Sequence, residues 1–141
     1  MGAWGTGIFE NDDAGDWLYE LEADGADKVT EAFDAVREGA RGGEIEAPDA
    51  CCALAAAEAV AYAVGTAAED LTDEQEAAFE KHKAAIAALP GVADKAIAVL
   101  DLIVADEETS ELLALWSEDG ADEDTEAFLE TVADVRRRVD G

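Results

Sequence analysis

Basic residues are scarce in this sequence. Lysine and arginine together number 9, against 36 aspartates and glutamates, so the formal net charge is −27. A chain with that balance repels phosphate backbones, which excludes an electropositive nucleic-acid-binding protein. The acidity has two explanations: a strongly acidic, Lys-poor surface keeps halophile proteins soluble at high salt, and a GC-rich genome enriches the same residue types.

Cysteines are few, and a basic leader is missing. Cys51 and Cys52 are adjacent, about 100° apart on a helix, so they form neither a loop-closing disulfide nor a CxxC zinc pattern, and we expect buried, reduced thiols. The first 20 residues contain no Lys or Arg, which predicts a cytoplasmic protein without a secretory signal. Residues 50–68 are long enough to span a bilayer, but they are mostly Ala and contain Glu58, which indicates a buried helix instead.

Strand-forming patterns are also lacking. Runs that alternate polar and apolar residues are missing, and proline occurs only at 48 and 90. In contrast, 32 of the 141 residues are alanine, the best helix former. The chain length suits one domain. We therefore predict a single all-α domain over residues 1–141, an irregular bundle of about six or seven short helices around an Ala-rich central helix, with a Gly/Trp-rich N-terminal cap at 1–11.

Helix boundaries and inward faces can be predicted from caps and apolar spacing. Asn11 begins the first helix and Gly25 ends it, Pro48 occupies the first position of the third, and Thr72 with Gln75 forms a capping box for the fourth. The inward-facing residues predicted from their spacing are Trp17, Leu18 and Leu21; Val29, Phe33, Val36 and Ala40; Phe79, His82, Ile86 and Leu89; Val92, Ala96, Val99, Leu100 and Ile103; Leu112, Leu113, Leu115 and Trp116; and Phe128, Val132, Val135 and Val139.

The segment Gly2–Asp13 has the most unusual composition. Its carboxylate and amide side chains, together with one aspartate a helical turn further on, offer hard oxygen ligands for Ca²⁺ or Mg²⁺. These candidate ligands are Glu10, Asn11, Asp12, Asp13 and Asp16. The spacing matches neither a calcium-binding EF-hand loop nor a P-loop. In the alternative interpretation, Trp4, Ile8 and Phe9 cover the bundle while the acids stabilise a helix N-terminus.

Catalytic signatures are weak. His82 is the only histidine, lies on an apolar helix face, and has no Glu-x-x-His partner, so we expect a half-buried histidine with its hydrogen bonds satisfied. Neither Ser110 nor Ser117 lies in a G-x-S-x-G motif. No catalytic residue is predicted.

Residues 106–126 form the densest negative region, with ten carboxylates and no basic residue. Such a region could bind a basic peptide or imitate a nucleic-acid backbone. It could equally be a solvated turn between helix N-termini, which favour acidic residues. The run Arg136–Arg138 complements the negative end of the last helix dipole.

Three stretches resemble a family of small prokaryotic proteins known as domain of unknown function 4259. They are GAWGTGIFENDDAGDWLYEL at Gly2–Leu21, ACCALAAAE at Ala50–Glu58 and SELLALW at Ser110–Trp116. The sequence departs from the family pattern at Gly15, where a larger helix former is expected. The resemblance implies no activity. It does imply a shared N-terminal feature, either a structural plug or a site, made of Trp4, Gly5, Gly7, Phe9, Asn11, Asp12, Asp13 and Trp17.

These observations predict a non-catalytic protein-interaction or regulatory module. Its candidate interaction residues are Trp4, Phe9, Asp12, Asp13 and Trp17. The alternatives are a divalent-cation-binding protein or metal-dependent enzyme that uses the N-terminal carboxylates, and a nucleic-acid mimic. No cofactor is expected apart from Ca²⁺ or Mg²⁺ in the cation alternative. We expect a protein partner, no direct nucleic-acid or membrane binding, and a homodimer as one possibility.

Overall fold

The structure is a computed structural model that describes Ile8, residues 11–117 and residues 122–140, without the side chains of Asp122 and Asp124. These residues form helices α1 (Asp12–Asp24), α2 (Asp27–Gly42), α3 (Ala47–Val64), α4 (Asp73–Ala87), α5 (Val92–Ile103), α6 (Glu111–Ser117) and α7 (Asp122–Asp140). An isolated bridge joins Ile45 to Ser110. The predicted all-α bundle is confirmed.

Helix α3 lies at the centre of the bundle and contacts each of the six other helices. Half of its residues are alanine, and it is buried from Ala53 to Ala61 without a break. Small side chains allow neighbouring helix axes to approach closely. By length and composition α3 is the one helix among the described residues that could cross a membrane, and 67% of it is buried inside the protein.

The helix ends follow the predicted signals. The Asn11 side chain accepts a hydrogen bond from the Ala14 N–H at 2.8 Å, and Gly25 ends α1 with a φ of 87°, a conformation that favours glycine. Thr72 and Gln75 form the capping box, at 3.1 and 3.0 Å. Pro48 is the second residue of α3 rather than the first, because Ala47 already has a helical conformation.

One cap comes from a distant part of the chain. The Glu111 carboxylate accepts a hydrogen bond from the Ala47 N–H at 2.7 Å, and Ile45 is hydrogen-bonded to both Thr109 and Glu111. A carboxylate at this position satisfies a free N–H and interacts favourably with the helix dipole. The start of α3 is thus fixed to the start of α6.

The inward faces are mostly as predicted. Trp17 is 3% exposed, and its indole N–H donates a hydrogen bond to the Lys28 carbonyl at 3.2 Å. Every residue predicted to face inward on α5 and α7 is buried. Ala40, Leu89, Leu115 and Trp116 are only half-buried, since each lies at or near an end of its helix or on a short connecting helix.

Candidate functional site

A bidentate ion pair connects the middle of α3 to the end of α7. Arg138 donates from Nη1 and Nη2 to the two carboxylate oxygens of Glu58, at 2.5 and 3.0 Å. The Glu58 side chain is 4% exposed and that of Arg138 is 15% exposed. A carboxylate in an alanine-rich core is costly without a partner, and a fork-shaped guanidinium supplies one.

The other hydrogen bonds of Arg138 connect it to a second carboxylate and to the loop that follows α3. Its Nε donates to Asp134 at 2.8 Å, and Nη1 also contacts the Thr66 carbonyl at 3.4 Å. The hydrogen bond from Arg138 holds the pKa of the Asp134 carboxyl below its usual value, and Arg137 adds to the effect. The charge of Arg138 is therefore satisfied within the protein.

The backbone at the end of α7 packs directly on the loop that follows α3. The Thr66 N–H donates to the Arg138 carbonyl at 2.8 Å. A Cβ atom at Gly65 would lie 2.0 Å from the same carbonyl oxygen, so only glycine permits this approach. The loop is thus held in place at its start by α7, and its far end is fixed by the capping box of α4.

A recess of about 930 Å³ lies beside this junction, and we refer to it as the acidic groove. Its volume is in the range of binding sites for ligands and short peptide segments. It is lined by Ile8, Glu58, Thr66, Ala67, Ala68, Glu69, Asp70, Leu71, Thr72, Gln75, Glu130, Thr131, Asp134 and Arg138.

The loop along the acidic groove is not a strand. Residues 69–70 form a turn, and the remainder of 67–71 has no regular secondary structure. Ala67, Ala68 and Leu71 are half-buried, whereas Glu69 and Asp70 are exposed. The loop therefore contributes both apolar and charged side chains to the lining of the groove.

The charge of the acidic groove is strongly negative. Its lining contains five carboxylates and one arginine, so the formal sum is 1 − 5 = −4. Arg138 and Glu58 neutralise one another, and Asp134 is shared between Arg137 and Arg138. Glu69, Asp70 and Glu130 are exposed and make no ion pair with any described residue. These three carboxylates remain available to a ligand.

The predicted N-terminal site is described only in part. Trp4, Phe9 and Glu10 lie outside the described residues. Asn11 is used in the fold, since its amide caps α1 and also donates to the Ile8 carbonyl at 3.2 Å. Asp12 and Asp16 are exposed, Asp13 is half-buried, and Trp17 belongs to the core. Ile8 is the described residue of this region that reaches the groove.

No metal centre is apparent in the described part of the chain. Within it, no three His, Cys, Asp or Glu side chains converge as a metal ion requires. Glu10 was a candidate ligand and falls outside that part, so the predicted Ca²⁺ or Mg²⁺ site stays a prediction.

No described residue of the acidic run 106–126 lines the acidic groove. Asp106, Glu107 and Glu108 are exposed on the loop between α5 and α6, and Glu111 caps α3. Glu123 and Glu126 are exposed on the first turns of α7. Glu118, Asp119 and the side chains of Asp122 and Asp124 lie outside the description. None of these residues is among the described lining of the groove.

The two cysteines are free thiols, as predicted. Cys51 is buried and Cys52 is half-buried, with the Cys52 thiol 3.7 Å from the Asp13 carbonyl. Burial, followed by the charge of Asp13, raises the pKa of both thiols to about 12. Neither is a thiolate nucleophile at neutral pH.

His82 is half-buried as predicted, but the expectation that its hydrogen bonds are satisfied is wrong. Its Nε2 atom is buried and has no hydrogen-bond partner among the described residues. The ring lies against Gly25, where an added Cβ would be 3.7 Å from Cε1. A glycine offers no side-chain acceptor, and helical spacing alone does not reveal which residue faces the ring.

The sequence patterns did not pair Glu58 with Arg138. The signal was present in part, because Glu58 is the single charge in the apolar stretch 50–68 and a buried carboxylate needs a cationic partner. Arg138 was interpreted as a complement to the helix dipole. Five arginines and four lysines were candidates, and only the packing of α7 on α3 selects Arg138.

The fold and the site define a small acidic α-helical bundle with a groove beside the junction of α3 and α7. A family model described as Domain of unknown function (DUF4259) matches residues 2–131. The chain therefore belongs to the DUF4259 family, as its N-terminal motif indicated. Comparison with the curated proteins and with the solved structures gives no match.

Proposed function

We propose that this protein is a non-catalytic interaction module that binds a segment of another protein in the acidic groove. The observation that carries the proposal is a recess of about 930 Å³ whose lining combines half-buried apolar side chains, such as Ala67 and Leu71, with exposed carboxylates.

The groove chemistry favours binding over catalysis. The described lining offers threonine hydroxyls, the Gln75 amide and carboxylates, together with Ile8, Leu71 and two alanines. It contains no cysteine, histidine or lysine that could serve as a nucleophile or as a proton carrier at neutral pH. Mixed apolar and hydrogen-bonding groups of this kind are typical of peptide recognition surfaces.

The geometry is already formed before a partner binds. Gly65 and Thr66 hold one end of the loop against α7, and the capping box holds the other end. A preformed groove loses less conformational entropy on binding than a loop that must first become ordered. This supports recognition of a flexible segment by a rigid surface.

Site-specific photo-crosslinking in the native cell tests the proposal. A benzoylphenylalanine residue replaces Thr131, which lines the groove, and in a matched variant it replaces Ala84, which is exposed on α4 outside the lining. We expect a discrete protein adduct from position 131 that is absent from position 84. The adduct should disappear when Ala68→Trp fills the groove. Equal adducts at both positions, or an adduct insensitive to Ala68→Trp, would overturn the proposal.

A further inference from the structure

We infer that a second copy of this chain packs antiparallel on the outer face of α7, across a two-fold axis. By the outer α7 face we mean the four exposed residues that follow one another every three or four positions along the helix: Glu126, Leu129, Ala133 and Arg137. The buried side of α7 is opposite and is formed by Phe128, Val132, Val135 and Val139. This inference goes beyond the proposed function and does not depend on it.

The centre of the outer α7 face is apolar. Leu129 is 39% exposed and is one of three large apolar side chains that are exposed among the described residues. Ala133, one helical turn further on, is exposed as well. A large side chain packs well against a small one across an interface, because the small residue leaves room for it. A partner that covers Leu129 also removes its apolar surface from water.

The two ends of the outer α7 face carry opposite charges. Glu126, three residues before Leu129, belongs to none of the ion pairs found among the described residues. Arg137, four residues after Ala133, donates from Nη2 to Asp134 at 2.8 Å, and its side chain is 66% exposed. A pair this exposed contributes little to stability, and a guanidinium has five N–H donors. Arg137 can therefore bind a second carboxylate.

This arrangement of charges is self-complementary when two helices run antiparallel. At about 1.5 Å per residue, Glu126 and Arg137 are about 16 Å apart along the helix, with the apolar centre between them. Turning a copy end for end places Arg137 of the partner subunit opposite Glu126 and Ala133 of the partner subunit opposite Leu129. The two-fold axis repeats both contacts, as in an isologous interface. A parallel copy would instead bring like charges together and align the two helix dipoles unfavourably.

The interface leaves the acidic groove open. At about 100° per residue, Asp134 and Thr131 lie about 100° and about 160° around α7 from Ala133. Both of these residues line the groove. A copy packed on the outer α7 face therefore lies beside the groove rather than in it.

Analytical ultracentrifugation of the full chain tests the inference. The solution contains about 1 M KCl, where a Debye length of about 3 Å removes most of the long-range repulsion between chains of charge −27. One helix face is a small interface, so the protein concentration should extend from about 10 µM to about 1 mM. The variants are Leu129→Glu, Glu126→Arg and Arg137→Glu. The control is Glu107→Arg, which makes the same change of charge at an exposed residue between α5 and α6.

We expect the wild type and the Glu107→Arg control to dimerise about equally. Leu129→Glu should weaken the dimer at least about tenfold, since a charge would replace the apolar contact. Glu126→Arg and Arg137→Glu should each dimerise more weakly than the wild type, because each variant places like charges at both ends of the interface.

An equimolar mixture of Glu126→Arg with Arg137→Glu is the decisive sample. Each end of a mixed dimer holds one arginine and one glutamate, so the mixture should associate although the separate variants do so weakly. Mixing cannot repair a folding defect, and the result therefore reports on the antiparallel contact itself. The inference would be overturned by a wild type that stays monomeric at about 1 mM, by Leu129→Glu dimerising like the wild type, or by a mixture that associates no more than its components.

Discussion

Arg138 and Glu58 are separated by 80 residues in the sequence and form a two-fold hydrogen-bonded ion pair between α7 and α3. The pair does more than neutralise a buried carboxylate. Through Arg138 it also orders Asp134 and the Thr66 carbonyl, and so it connects the core of the bundle to the loop that lines the acidic groove.

Removing one partner of this ion pair should lower the free energy of unfolding far more than removing both partners. Arg138→Met leaves Glu58 buried without a partner and should lower the free energy of unfolding by about 3–5 kcal/mol. The double variant Glu58→Leu/Arg138→Met should lose at most about 1–2 kcal/mol, since no charge is left buried. Urea unfolding monitored by circular dichroism in 1 M KCl measures both. Equal losses in the single and double variants would contradict the pairing.

Gly65→Ala should destabilise the protein, because its Cβ would clash with the Arg138 carbonyl oxygen. Backbone atoms cannot move aside as a flexible side chain can, so the expected loss is about 1–3 kcal/mol. The Thr66 to Arg138 hydrogen bond would break with it. Faster amide hydrogen exchange at Thr66 is the specific readout, and unchanged exchange there would show that the contact is unimportant.

Gly15→Ala should have the opposite sign. Gly15 lies inside α1, and an added Cβ there meets nothing within 4 Å. Alanine is the better helix former by about 1 kcal/mol, so the midpoint of urea unfolding should rise. A decrease would contradict the open surroundings of Gly15 in α1.

Burial should slow the alkylation of the Cys51 and Cys52 thiols. Their raised pKa should also make the free energy of unfolding fall in alkali. Each thiol has a pKa of about 12 when folded, against an ordinary value of 9.0. Between these values the unfolded chain has released protons that the folded chain retains, so the free energy of unfolding falls as pH rises. Iodoacetamide at pH 8 should modify Cys51 and Cys52 slowly in the native protein and rapidly in urea. Fast native modification of both would contradict the burial.

Monovalent salt should raise the unfolding temperature steadily, because 36 carboxylates repel one another more strongly in the compact state. Thermal unfolding followed by circular dichroism from 0.01 to 3 M KCl measures the effect. Millimolar Ca²⁺ or Mg²⁺ should add no more than their ionic strength. A saturable stabilisation by either divalent ion, removed by Asp12→Ala and Asp13→Ala, would instead support the N-terminal cation site.

Much of the fold could be predicted because its signals are local. The Asn11 cap, the turn at Gly25 and the Thr72–Gln75 capping box depend on residues within one helical turn, and the apolar spacing of α5 and α7 fixes their buried faces. Long-range contacts lack such signals. Glu111 caps the start of α3 although it lies 64 residues from Ala47 in the sequence. His82 on α4 lies against Gly25, which ends α1.

The acidic groove was outside the reach of sequence analysis for the same reason. Its walls come from the loop after α3 and from the second half of α7, which are far apart in the chain. The sequence drew attention to clusters that are dense along the chain, at Glu10–Asp16 and at 106–126. Glu69, Asp70 and Glu130 become neighbours of one recess only when α7 packs on α3.

Chemical-shift mapping tests the central claim most directly. Isotope-labelled protein is titrated in 0.1 M KCl with a peptide copied from the partner segment that crosslinks at position 131, and each backbone amide is followed. The account predicts that the largest shifts occur at residues 66–72, Gln75 and 130–134, with small changes at Asp106–Glu108. Shifts spread evenly over the acidic surface, or concentrated away from these residues, would contradict it.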